Sequence, residues 1–327
     1  MVHCSTIIIR IGNFIYKMNY IQQAYKGKRE LWMFLLTAFL ISGMFILNFI
    51  FYLFSSKEDM ELAYEMMKKI PPNLSLIINL APFVVLLGLL FVLVRFLHNR
   101  SILSLTTARP KVDWKRIVFS FSLIVIITIL TFAISYYSDP SLIELQFNPA
   151  KFAVLFIISI ILFPFQIGLE EYLFRGYLMQ HIGVLVKNRW FPLIFTSVMF
   201  GIAHSANPEV AEMGFTIMIF YIGTGLLLGI MTLMDDGLEL ALGFHLGNNL
   251  LAALLVTSDW SALQTDAIFK YTAEEANTTA IEILVPVLVF YPILLLILSK
   301  KYKWNNWKDK LFGKIEEPPK EDYKIIE

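Results

Sequence analysis

Residues 150–169, AKFAVLFIISIILFPFQIGL, carry one charge, Lys151, at their start. They then run straight into Glu170-Glu171-Tyr-Leu-Phe-Arg175-Gly176. About 20 apolar residues make a helix long enough to cross the hydrocarbon core, where every backbone polar group must be satisfied within the segment. The first part of this stretch therefore reads as a membrane span. The second part brings two carboxylates and a guanidinium to the end of that span, where each ionisable group costs at least about 2.5 kcal/mol on insertion scales. Such residues persist when they are paired or when they do something.

Seven further runs of the same kind surround this one, at about 31–54, 74–97, 117–136, 190–205, 213–234, 238–257 and 280–299, and the quoted span itself continues to about 186. Of the 327 residues, 57 % are hydrophobic and 16 % charged, against about a quarter charged in soluble domains. The fold class that follows is all-α, a polytopic membrane bundle of about eight transmembrane helices. It divides into a basic lead over 1–30, the bundle over 31–300 and a basic and acidic tail over 301–327.

Charge in the connections sets the orientation. Arg10, Lys17, Lys26, Lys28 and Arg29 precede the first span. Arg95, Arg100, Arg109, Lys111, Lys115 and Arg116 lie around the second connection, Lys187 and Arg189 follow the fourth span, and six lysines from Lys300 to Lys314 follow the eighth. The alternate connections are acidic, with Asp139, Glu144, Glu209, Glu212, Asp259, Asp266, Glu274 and Glu275. Cation-rich loops stay in the cytoplasm, so both ends are expected there, in a bacterial cell membrane. The acidic turn Asp235-Asp236 is the exception. A net charge of +1 leaves no basic footprint for nucleic acid. The single cysteine, Cys4, allows no internal disulfide, and no cleavable signal peptide is expected. Trp304 and Trp307 among lysines suit either the headgroup layer or a solvated tail, and 316–327 is expected to be disordered.

Three polar clusters interrupt the apolar spans. Glu171 and Arg175 are four apart, share a helix face and can neutralise each other. Glu170 points about 100° away and has no local cation, which suits a general base, although both glutamates could also mark a membrane boundary. Phe200-Gly-Ile-Ala-His204 ends the fifth span. His245-Leu-Gly-Asn248-Asn249 lies inside the seventh, with His245 and Asn249 on one face, where asparagine could equally hold helices together. One glutamate and two histidines from three spans make a general-base and ligand set, and Asn249 can donate to a developing oxyanion. His3, His98 and His181 are expected to be solvated.

The run Glu170-Glu171-x-x-x-Arg175, then Phe200-x-x-x-His204, then His245-x-x-x-Asn249 resembles the three motifs of the CPBP intramembrane peptidases, over about 150–255. These include the type 2 CAAX prenyl endopeptidases and proteins of bacteriocin processing and immunity. The resemblance implies an intramembrane protease acting on peptides or lipidated peptides. Glu170, helped by His204, would activate water. His245 and Asn249 would stabilise the oxyanion, and Glu171 with Arg175 would orient Glu170. Glu170, His204 and His245 could alternatively ligate zinc with water as fourth ligand, although His-Glu-x-x-His is absent. The metal-free glutamate mechanism is the preferred one.

No rhomboid-like Gly-x-Ser-Gly or presenilin-like Gly-x-Gly-Asp occurs, and the Gly-x-Ser-x-Gly elbow is missing. A non-catalytic scaffold or immunity protein binding a peptide or membrane partner is the alternative. A proton-relaying transporter ranks below it, because no internal repeat is evident. Substrate and oligomeric state are left open.

Overall fold

The computed structural model describes residues 18–272 and 280–320. His3, Cys4, Arg10, Lys17, Glu274, Glu275 and 321–327 lie outside them. A short 3₁₀ turn, Ile21–Lys26, leads into α1 (Leu31–Phe54). An amphipathic α2 (Lys57–Lys68) follows, then α3 (Pro72–Val92), which runs through a π turn to Leu97. After α4 (Ile102–Thr106) and α5 (Trp114–Ser138), strand β1 (Ile143–Leu145) precedes α6 (Pro149–Glu171). A π turn, Tyr172–Leu178, carries α6 into α7 (Met179–Val186). Next come α8 (Trp190–Ile202), α9 (Pro208–Met213), α10 (Ile217–Asp235) and α11 (Glu239–Leu254). Strands β2 (Val256–Thr257) and β3 (Phe269–Tyr271) are followed by α12 (Ala280–Val285), a π turn to Phe290, α13 (Tyr291–Tyr302) and α14 (Trp307–Phe312).

Six helices are long and apolar enough to cross a membrane by length and composition: 31–54, 72–97, 114–138, 149–186, 217–235 and 280–302. The chain is a helical membrane bundle. The other two expected spans are the shorter helices α8, 13 residues, and α11, 16 residues. At 1.5 Å per residue they reach about 20 and 24 Å, less than the roughly 30 Å of a hydrocarbon core. A helix of that length starting at one face ends inside the core, which suits the depth at which a polar side chain is to be delivered.

Two close approaches need glycine. Gly243 of α11 sits on the backbone of α5, where a β-carbon would overlap the carbonyl oxygen of Ile117. Gly225 of α10 faces α8, where a β-carbon would lie 2.8 Å from the carbonyl oxygen of Ser197. Gly243 and Gly247, like Gly225 and Gly229, are four apart, the small-residue spacing that lets membrane helices touch backbone to backbone.

The cation-rich connections gather at one end of the bundle. Arg109 donates to Glu239 at 2.5 Å and to Asp235 at 3.2 Å, Arg116 donates to Asp235 at 2.5 Å, and Lys310 pairs with Asp236. The indole of Trp304 also donates to Asp235, at 3.1 Å. The acidic turn that broke the charge pattern is thus neutralised by the cations of its own face. The backbone N–H of Tyr20 donates to Asp236 at 3.0 Å, and Gln22 donates to the carbonyl of Glu316 at 2.8 Å. The lead and the tail therefore meet on this face, and Leu311 and Ile315 of the tail are buried against Ile21 and Ala24.

At the opposite end, β1 pairs antiparallel with β3, and β3 parallel with β2. Helix α2 is capped there by a reciprocal Ser56–Asp59 box, and the Tyr64 hydroxyl donates to the carbonyl of Ala206 at 2.9 Å.

His98 and His181 are buried, contrary to the solvated placement expected from sequence. The segment after α3 folds back into the bundle. His98 Nδ1 donates to the carbonyl of Lys28 at 3.0 Å, and its Nε2 lies 3.0 Å from the Tyr177 hydroxyl and 3.1 Å from Thr37 Oγ1. His181 Nδ1 donates to the carbonyl of Tyr177 at 3.0 Å.

Replacing Arg109 by alanine strands the Glu239 carboxylate, whose side chain is 0 % exposed. Removing one partner of a buried pair costs roughly 3 kcal/mol. The Arg109→Ala chain is expected to show a Tm lower by several degrees in detergent micelles, whereas Lys57→Ala, at an exposed pair with Glu61, leaves it unchanged.

Candidate active site

Glu170 and Glu171 are the last residues of α6 before the π turn, and both are buried. They project about 100° apart, yet one side chain meets both. His245 of α11 places Nδ1 2.8 Å from Glu171 Oε1 and Nε2 3.6 Å from Glu170 Oε2. A carboxylate only accepts, so Nδ1 carries the proton of the short contact. The second distance is too long for a direct hydrogen bond.

Arg175 Nη1 donates to Glu171 Oε1 at 3.0 Å, and both side chains are fully buried. Arg175 Nη2 donates to the carbonyl of Gly225 at 2.9 Å, and the Phe200 ring lies 4.4 Å from its guanidinium carbon. Glu171 and Arg175 thus pair as the i,i+4 spacing predicts, but the side chain they hold is His245 rather than Glu170. Glu170 takes its own bond from Gln166 Nε2 at 3.2 Å, one turn back on α6, and its Oε2 has no hydrogen-bond partner.

His204 lies in the turn that ends α8. Its Nδ1 donates to the Phe200 carbonyl at 2.7 Å, which leaves Nε2 as the nitrogen able to accept. The ring is stacked on Tyr221 at 4.5 Å between centroids and 21° between planes, and Phe200 packs against both His204 and His245, at 4.7 and 5.7 Å. Asn249 Oδ1 accepts from Asn248 Nδ2 at 3.2 Å, so the Asn249 amide nitrogen is its available donor.

Glu170, His204, Asn248 and Asn249 line one cavity of about 690 Å³. His245 stands behind Glu170, in contact but not on the wall. The three clusters read from sequence therefore converge, and Glu170 and His245 are turned away from lipid, at 3 % and 5 % exposure. The other walls come from α1 and α3, with Phe45 and Phe83, and from α2, with Tyr64 and Met67. The segments 206–209 and 256–263 complete the wall at the end opposite the cation-rich face. The volume exceeds many times the roughly 30 Å³ share of one water.

Sequence reasoning missed two features here. Helix α2 carried a legible signal, the Ser56-x-x-Asp59 capping box before an alternately polar run. Glu209 on α9 was read only as a loop charge, yet it lines the cavity.

A zinc site was the alternative use of Glu170, His204 and His245. Among the described residues, no three or more histidine, cysteine, aspartate or glutamate side chains are grouped to hold a metal ion. The His245 nitrogens face the two carboxylates, and His204 Nδ1 is committed to a carbonyl. Hydrogen bonds at Nδ1 leave Nε2 as the ligating nitrogen of each ring, but the three side chains are not grouped as a metal site in this arrangement.

Residues 149–251 match the family of Rce1-like type II CAAX prenyl endopeptidases. The match spans all three motifs, is consistent with the CPBP resemblance and implies a protease. The chain is also similar to the uncharacterised protein YyaK of Bacillus subtilis (strain 168), 27 % identical over 247 residues, which cover 73 % of this chain and 83 % of that protein. No solved structure matches.

If Glu171 and Arg175 hold each other in the core, Arg175→Ala should lower stability by about 3–5 kcal/mol. Arg175→Lys should recover only part, since one ammonium cannot reproduce the planar fork to Glu171 and Gly225. A pair of apolar replacements at 171 and 175 should be less damaging than Arg175→Ala alone. Thermal unfolding in micelles ranks the three variants, and an Arg175→Ala chain as stable as the parent would refute the pairing.

Proposed function

We propose that this chain, whose residues 149–251 carry the Rce1-like match, is an integral membrane endopeptidase that hydrolyses peptide or lipidated-peptide substrates with an activated water. One observation carries the reading: Glu170, His204 and Asn249 share a wall of one cavity inside the bundle, with His245 fixed behind Glu170.

In this mechanism water sits between Glu170 and the accepting Nε2 of His204. Glu170 takes a proton from it, and the water oxygen bonds to the scissile carbonyl carbon. The carbonyl oxygen becomes an oxyanion. Asn249 donates to it through its amide nitrogen, while His245, behind Glu170 rather than on the cavity wall, acts by holding the position of that carboxylate. Fixed donors aimed at developing charge in a water-poor site are worth about 3–4 kcal/mol each. As the intermediate collapses, the C–N bond breaks and Glu170 passes its proton to the leaving amine. Water is the nucleophile, so no acyl-enzyme forms. Glu171 and Arg175 act through His245 by holding its tautomer and ring position.

The cation-rich end of the bundle lies in the cytoplasm on this reading, so the cavity opens towards the outer face. Candidate substrates are prenylated or leader-bearing peptides, bacteriocins and signalling pheromones.

Glu170→Gln should lower processing by at least about 100-fold, with the protein still in the membrane. Mass spectrometry of peptides that accumulate in cells carrying the variant reads both the loss and the substrate. Unchanged processing would favour the non-catalytic scaffold. The orientation has a separate check in a Cys4→Ser background. A membrane-impermeant maleimide should react with Ser261→Cys in intact cells, and with Lys308→Cys only after permeabilisation. The reverse pattern would invert the topology.

A further inference from the structure

Glu209 lies on α9, in the connection between α8 and α10, and faces the same cavity as Glu170. Its Oε1 accepts the backbone N–H of Ala262 at 2.8 Å, which anchors the 256–263 segment. That bond accounts for one oxygen. The other, Oε2, is buried with no hydrogen-bond partner. Among the described residues no lysine or arginine pairs with Glu209, and Lys57, Lys68, Lys151 and Lys270 at this end pair instead with Glu61 at 3.6 Å, Glu65 at 2.8 Å, Asp266 at 3.7 Å and Asp259 at 2.8 Å. Burial pushes the Glu209 carboxyl above its usual range, and the backbone N–H groups of Ala262 and of Glu209 itself only partly offset this. A carboxylate so placed costs free energy until a cation reaches it.

The surroundings suit a cation as well. Trp260 and Tyr221 line the cavity alongside Glu209, and aromatic faces attract ammonium and guanidinium groups. The indole N–H of Trp260 is also buried without a partner, so this wall has both acceptor and donor capacity left for a peptide. An inorganic cation would need several ligands, and no such group exists among the described residues.

We propose that Glu209 is a specificity residue that receives a lysine or arginine side chain of the peptide entering the cavity, so that the substrates are peptides with a basic residue near the scissile bond. This rests on the peptidase reading for the word substrate, but the binding it describes does not depend on cleavage.

The test uses the full chain carrying Glu170→Gln, held in nanodiscs of phosphatidylcholine and phosphatidylglycerol so that no lipid amine competes. A library of random dodecapeptides is passed over it, and the retained peptides are sequenced by mass spectrometry. Lysine or arginine should be enriched roughly tenfold over the input, the scale of one charge-assisted contact. Adding Glu209→Gln, which keeps the bond to Ala262, should abolish the enrichment. Adding Glu61→Gln on the surface of α2 should preserve it. Absence of basic enrichment, enrichment that survives Glu209→Gln, or no retention of peptide at all would each overturn the proposal. The chain with Glu170 intact is then given the retained peptides. Peptides that bind through Glu209 and are never cut would overturn the peptidase reading and leave this one standing. Peptides cut without regard to basic residues would do the opposite.

Discussion

The fully buried Glu171 carboxylate is the constraint on which the rest of the site depends. Left alone in the interior it would cost several kcal/mol. It is tolerated because Arg175 and His245 both reach its Oε1. Those contacts tie three helices together: Glu171 ends α6, His245 is on α11, and Arg175 also holds the Gly225 carbonyl on α10. Once these three are fixed, the imidazole has one orientation, with Nδ1 spent on Glu171 and Nε2 directed towards Glu170. The position of Glu170 relative to a cavity water is then a consequence of helix packing rather than of a flexible side chain. Gly225 takes part through its carbonyl, and the close glycine contacts at 225 and 243 seat α10 on α8 and α11 on α5 around this junction.

A second buried charge layer, at the cation-rich end, does related work. Asp235 and Glu239 flank the turn between α10 and α11 and are held by Arg109 and Arg116 from the ends of the segments before α5 and at its start. The starting point of α11 is thereby pinned, and His245 lies six residues further along it. Two electrostatic junctions, one at the helix end and one about two turns in, fix both the depth and the rotation of the helix that carries the imidazole.

Much of this was legible in the sequence because hydrocarbon leaves few choices. Apolar runs announce the helices, and Glu170, Glu171, Arg175, His204, His245 and Asn249 stand out against them. The partner of the Glu171–Arg175 pair was not legible. Spacing along one helix shows which side chains share a face, but not which neighbouring helix arrives opposite. The same limit hid His98 and His181, and Arg100, a loop cation by sequence, which is buried and bonded to Ser104 Oγ at 2.7 Å and to Gln180. His98 and Arg100 follow the end of α3 and its π turn and fold back inside, whereas His181 sits on α7 and is covered by Phe34, Tyr177 and His98. The three short strands have two or three residues each, too few for alternation to rise above noise. Glu209 was overlooked because acidic residues in an outer connection satisfy the charge rule without further explanation.

The family match and the cavity do not cover the same ground, and the difference is informative. Residues 149–251 contain Glu170, His204, His245 and Asn249, the groups proposed for the chemistry, and also Glu209. The facing walls come from α1, α2 and α3, all before that segment, and they present Phe45, Phe83, Tyr64 and Met67. Aromatic and thioether side chains adapt to varied apolar partners at modest cost, whereas the buried charges opposite admit almost no change without a stranded partner. One side of the cavity is therefore electrostatically locked and the other is shaped mainly by packing, with Asn48, Asn79 and the Tyr64 hydroxyl as uncharged polar groups on it. A substrate meeting both would be held in register by the polar wall and selected for bulk by the apolar one, so changes in α1 to α3 could alter which peptides fit without disturbing the Glu171 junction.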